Sequence, residues 1–171
     1  HQLTEQVAKA LSLCISTGEK GAVLLIHLDR FSRLNDARGY DVGDRLLQEV
    51  ARRLQGTLGE KGMLARMSGG DFFVLLHDHF PSDSTLEQVV SGWVTEITTM
   101  LKTPVELDDL KIPVFVSVGV TFFPHDRLDT PVQVLKRADV AMHRAKWKGG
   151  NQSIFYEQSM SVVAEQQFQI E

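Results

Sequence analysis

The chain has one cysteine, Cys14, among 171 residues, which excludes an internal disulfide and fits a reducing compartment. Cys14 lies in a helical-looking stretch and reads as a small buried apolar residue without a chemical role. Long apolar runs are also missing: no segment approaches the roughly 20 consecutive apolar residues of a membrane span. The chain is therefore read as cytoplasmic, either free or as the cytosolic part of a membrane-anchored protein. A basic excess is absent too. The 18 Lys and Arg residues against 22 Asp and Glu give a formal net charge of −4, which leaves no electrostatic case for nucleic acid or for direct membrane contact. Repeats and low-complexity tracts are lacking, and the chain starts at His1 rather than methionine, so it is expected to be a piece of a longer protein. What is present, 43% hydrophobic and 23% charged residues, is the balance of one domain with a full core.

Leu3, Val7, Ala10, Leu11 and Cys14 recur at three-and-four spacing and predict an amphipathic helix, released by Gly18 and Gly21. Ala22 to Leu28 is apolar except for His27, and its length predicts a central strand buried on both faces. A polar segment from Asn35 to Asp41 then leads into a helix over 43–54. Met63–Met67 and Phe72–His77 read as two strands joined by Ser68-Gly69-Gly70-Asp71, and paired glycines between apolar runs signal a hairpin. Its tip is the first place to look for chemistry. Further on, 84–101 is helical in pattern and 114–123 strand-like. Thr130 can cap a helix that begins at Pro131 and stops at Gly149-Gly150, and 153–156 gives a last short strand. From residue 157 the chain turns polar and glutamine-rich but keeps Met160, Val163 and Phe168 at loose helical spacing. The organisation expected is a domain over 1–156 and a connector over 157–171.

Five segments in this order resemble the GGDEF (diguanylate cyclase) family over about residues 2–156. Ile26-His27-Leu28-Asp29-Arg30-Phe31-Ser32-Arg33-Leu34-Asn35-Asp36 resembles D-x-D-x-F-K-x-I-N-D, and Gly39-Tyr40-Asp41-Val42-Gly43-Asp44 resembles G-H-x-x-G-D. The glycine hairpin follows, then Ser117-Val118-Gly119-Val120 and Arg137-Ala138-Asp139-Val140-Ala141-Met142-His143-Arg144-Ala145-Lys146. The resemblance implies an α/β (α+β) fold like a nucleotidyl-cyclase or polymerase palm: a five-stranded, mainly antiparallel sheet flanked by helices. It also implies GTP across the hairpin, a homodimer joining two GTP molecules into cyclic di-GMP, and Mg²⁺ or Mn²⁺ held by two carboxylates.

The departures from the pattern bear on function. His27 stands where the family has its metal-binding aspartate, and a neutral nitrogen suits Mg²⁺ poorly; a strand histidine satisfied by a protein partner is the simpler reading. Without a gap, the signature reads Ser68-Gly69-Gly70-Asp71-Phe72, so the essential glutamate becomes the shorter Asp71; a shifted alignment puts Phe72 there. Asp29 and Asp71 are the remaining candidate metal ligands, with Asp71 the degenerate catalytic position and Gly69 and Gly70 the turn beneath the nucleotide. Lys146 matches the family's triphosphate lysine, but its companion arginine is Gly150; losing one charge-assisted phosphate contact costs about 1.5–3 kcal/mol. Asn35 and Asp44 match the guanine-reading pair, an amide and a carboxylate suited to the base's carbonyl and its N–H donors. The inhibitory R-x-x-D motif is replaced by Gly59 and Gly62.

These departures lead to the expectation of a catalytically impaired regulatory or GTP-sensing module, with a metal ion present only alongside nucleotide. The stretch Phe155-Tyr156-Glu157-Gln158-Ser159-Met160 resembles the junction before EAL phosphodiesterase domains, so an EAL domain is expected to follow. Two alternatives stay open: an active diguanylate cyclase using Asp29 and Asp71, and a dimerisation scaffold that binds no nucleotide.

Overall fold

The apolar run that begins at Gly21 forms β1 (Gly21–Leu28), buried at every residue except His27. A strand covered on both faces needs neighbours on both edges and helices above and below. The computed structural model, which describes residues 2–157 and residue 160, supplies them. Before β1 comes α1 (Gln2–Thr17); after it come α2 (Phe31–Arg38), α3 (Tyr40–Leu58), β2 (Gly62–Arg66), β3 (Asp71–Leu76) and α4 (Asp83–Leu101). The remainder is β4 (Val105–Leu107), β5 (Leu110–Ile112), β6 (Val116–Phe123), α5 (Pro131–Trp147) and β7 (Gln152–Phe155). The main sheet has five strands in the order β2-β3-β1-β6-β7, antiparallel except for the β6–β7 pair, and β4–β5 is a separate hairpin. The mainly antiparallel five-stranded sheet implied by the resemblance is therefore present.

Because strand side chains alternate, β1 feeds two cores. Ala22, Leu24, Ile26 and Leu28 join Phe72, Val74 and residues of α3 and α4 on one face. Val23 and Leu25 join Leu75, Phe123 and residues of α1 and α5 on the other. Cys14 is fully buried in this second core, and burial pushes its thiol up to about 11, so it is chemically inert at neutral pH.

The segment Asn35–Asp41, expected as a polar lead-in, is helical except at Gly39. Helix α2 runs through Asn35 to Arg38, Gly39 turns the chain at φ 88°, and α3 starts at Tyr40, earlier than Gly43. Only Phe31 of α2 is buried, so the helix carries no apolar stripe to announce it. The β4–β5 hairpin was also not anticipated; its strands are three residues each, too short for a periodicity to register.

The start of α5 follows expectation. Thr130 Oγ1 accepts from the Gln133 N–H at 3.3 Å, Gln133 Oε1 accepts from the Thr130 N–H at 3.0 Å, and Pro131 opens the helix. This is a capping box. Thr130→Ala is expected to lower stability by about 1 kcal/mol, read as a shift in urea midpoint with unchanged slope. The expected connector over 157–171 falls largely outside the described residues.

Candidate nucleotide site

Strand pairing puts Asp71 opposite His27 across β3 and β1, and Ser117 opposite His27 across β1 and β6. Gln152 of β7 pairs with Ser117, completing a row across four strands. His27, Asp71 and Ser117 share parity with Val23, Leu25 and Leu75, so they face the α5 side of the sheet. His27 Nδ1–H donates to Asp71 Oδ1 at 2.5 Å, with the two side chains 16% and 29% exposed.

Asp29 lies just past the end of β1. Its Oδ1 accepts from Ser117 Oγ at 2.7 Å and its Oδ2 from the Asn151 N–H at 2.9 Å, while its own N–H donates to the Phe115 carbonyl at 2.8 Å. The carboxylate thus clasps the end of β1 to the start of β6 and to the turn between α5 and β7. A Cβ on Gly150 would come within 2.9 Å of Asp29 Oδ2, and Gly150 has φ 74°. The absence of a Cβ at Gly150 lets this turn approach Asp29 so closely.

The hairpin turn uses Gly69 at φ 75° and Gly70 at φ 84°, a conformation that other residues adopt at a cost. Gly70 is buried beneath Phe31, whose ring a Cβ there would meet at 3.0 Å, and its carbonyl accepts from the Leu28 N–H at 2.9 Å. Asp71 is the residue that the hairpin presents beside β1, whereas Phe72 is fully buried in the core.

Lys146 is exposed at the end of α5 and lines a cleft of about 390 Å³ with Asp29, Arg30, Phe115, Gly149, Gly150 and Asn151. Arg30 was not singled out from the sequence. It brings a second cation to this wall, and it adopts φ 63°, rare for a residue with a long side chain. It also borders an adjoining, more apolar cleft of about 360 Å³ that includes Leu28, Phe31, Leu34 and Leu46. Neither Asn35 nor Asp44 lines either cleft. Asn35 sits on α2 with its Oδ1 buried and without a hydrogen-bond partner, packed so closely on Gly43 that a Cβ there would overlap it. Asp44 is exposed on α3, one turn in from its start at Tyr40 rather than in the first turn. Gly59 ends α3 at φ 55°, and Gly62 opens β2.

A hard divalent cation needs several converging oxygen ligands. Here the histidine ring takes one oxygen of Asp71, and both oxygens of Asp29 have protein donors. Among the described residues, no three or more His, Cys, Asp or Glu side chains are gathered so as to hold a metal ion. As arranged, the donor set does not fit such a cation. No helix among the described residues is long and apolar enough to cross a membrane.

The sequence model of the family "Diguanylate cyclase, GGDEF domain" matches residues 1–152, and the chain belongs to that family, a domain of cyclic di-GMP signalling. Over 167 residues it is 32% identical to the cyclic di-GMP phosphodiesterase NbdA of Pseudomonas aeruginosa, covering 98% of this chain and 20% of that protein. It is 30% identical over 169 residues to the bifunctional diguanylate cyclase/cyclic di-GMP phosphodiesterase MucR of the same organism, covering 98% and 24%. The chain therefore spans about a fifth to a quarter of these relatives. The solved structure of a delta-N mutant of TpbB from Pseudomonas aeruginosa, comprising only the GGDEF domain, superposes with a TM-score of 0.84 at 28% identity, covering 96% of this chain and 92% of that one.

Proposed function

We propose that the domain is a regulatory, guanine-nucleotide-sensing module of cyclic di-GMP signalling that does not itself join two GTP molecules. The observation that carries this is the His27–Asp71 hydrogen bond, which engages the carboxylate on which catalysis in this family depends. Retained nucleotide recognition is supported by the two cations, Arg30 and Lys146, on one cleft wall; Asn35 and Asp44, which line neither cleft, match the guanine-reading pair in sequence alone. Any Mg²⁺ or Mn²⁺ would arrive with the triphosphate. The output would reside in an EAL domain later in the same protein; the phosphodiesterase activity named for NbdA and MucR, proteins far longer than this chain, supports that arrangement. Homodimerisation and a cytoplasmic site of action belong to the same reading.

Titration calorimetry of the domain with GTP and Mg²⁺, with the same sample then chromatographed for cyclic di-GMP, tests the proposal. Binding without product is the expected result. Product formation would sink it, and neither binding nor product would favour a nucleotide-free dimerisation scaffold. The second reading, an active cyclase, is favoured by the diguanylate cyclase activity named for MucR. It requires metal-dependent turnover that Asp71→Ala abolishes.

A further inference from the structure

We infer that His27 takes the structural place of the divalent cation: the cross-strand His27–Asp71 pair is a metal-free closure of the hairpin onto β1, and the protein itself binds no Mg²⁺ or Mn²⁺ there. The inference deepens the reading of an impaired site and rests on it, but it concerns the protein without nucleotide.

Three observations converge on it. The register sets His27 and Asp71 directly opposite each other, where cross-strand side chains lie about 5 Å apart and interact most strongly. At such a position two carboxylates repel unless a cation lies between them; an imidazole N–H instead satisfies the single carboxylate directly. The pair is held in that geometry by its surroundings, since Gly70 beneath it is packed on Phe31 and hydrogen-bonded to Leu28. The third observation is Asp29, the other carboxylate within reach. It is committed to Ser117 and Asn151, and the close approach of Gly150 keeps that turn seated on it. Recruiting Asp29 to a metal would mean breaking a clasp among β1, β6 and the turn before β7.

The consequence can be read without any nucleotide. In the His27→Asp variant, two facing carboxylates should behave as a vacant cation site: a melting temperature below wild type in EDTA, restored by Mn²⁺. The rise is expected to be about 2–4 °C once Mn²⁺ exceeds its dissociation constant about five-fold. Wild type should show no Mn²⁺-dependent shift, and His27→Asn, which keeps a donor toward Asp71, should show none either. Electron paramagnetic resonance of free Mn²⁺ titrated with wild-type domain gives the same answer without a variant: the free-ion signal should stay undiminished. Loss of that signal with stoichiometric wild-type protein would overturn the inference, as would a His27→Asp domain, folded by circular dichroism, that ignores Mn²⁺. Should His27→Asp fail to fold, the wild-type titration alone decides. Because GTP is absent throughout, failure here leaves nucleotide sensing untouched, and failure of the calorimetry leaves this result standing.

Discussion

Arg137→Ala is expected to lower the stability of the domain by about 3–5 kcal/mol at neutral pH, because it leaves a buried carboxylate without its partner. The Asp129 side chain is 1% exposed and that of Arg137 17%. The guanidinium spans both carboxylate oxygens at 3.0 and 2.9 Å, and Oδ2 also accepts from the His125 N–H at 2.6 Å. Burial alone would push the Asp129 carboxyl up, but the Arg137 side chain and the His125 amide outweigh it and hold it below the usual 3.8. A depressed folded value means that this contribution is fully present above pH 3.8 and is lost as pH falls through the folded value. The gap between wild type and Arg137→Ala should therefore be widest at neutral pH and shrink in acid. Urea denaturation of both proteins at neutral pH and at about pH 3 measures it; a gap that grows on acidification would mean that the pair is not what anchors α5.

Gly119→Ala is expected to be comparably damaging, at least about 3 kcal/mol, and Gly119→Val to prevent folding altogether. Gly119 lies mid-strand in β6, paired with Leu25 of β1, and α5 packs straight onto it. An added Cβ would overlap the Ala138 carbonyl and the Met142 backbone nitrogen. Both are main-chain atoms, so no rotamer change can relieve the overlap; helix and sheet would have to separate. Far-UV circular dichroism and a urea midpoint on Gly119→Ala decide the matter, and a midpoint close to wild type would show that α5 can lift off β6 at little cost.

Gly119 also marks how much could be read in advance. Its place in the Ser117-Val118-Gly119-Val120 motif was recognisable from the sequence, but its reason, the close passage of α5, required the packed structure. The long elements were legible because each carries a repeating apolar signal: β1 is apolar on both faces, and α3, α4 and α5 bury one stripe each. Helix α2 buries only Phe31, and β4 and β5 turn at Asp108 after three residues, so neither offered a period to detect. The same limit applies to the site. His27 stood out as a polar residue in an apolar strand, and a protein-satisfied histidine was the simpler reading of it. That its partner is Asp71 follows from the β1–β3 register, which no local pattern encodes. Arg30 was missed because its place on the cleft wall depends on a left-handed backbone that residue type alone does not signal. The pair Asp129 and Arg137 went unremarked for a similar reason, since a loop acid and a helix base look like ordinary surface charges until burial is known.

The order of strands in the sheet has a kinetic consequence. Hydrogen bonds at the site join residues 44, 88 and 122 positions apart, and β1 cannot acquire its β6 neighbour until most of the chain has been made. The β2–β3 hairpin closes locally and early, whereas the Asp29 clasp, with the largest loops to close, belongs to the last events of folding. During synthesis on the ribosome, the nascent domain would hold a preformed hairpin but not the cleft between Asp29 and Lys146 until the turn after α5 emerged.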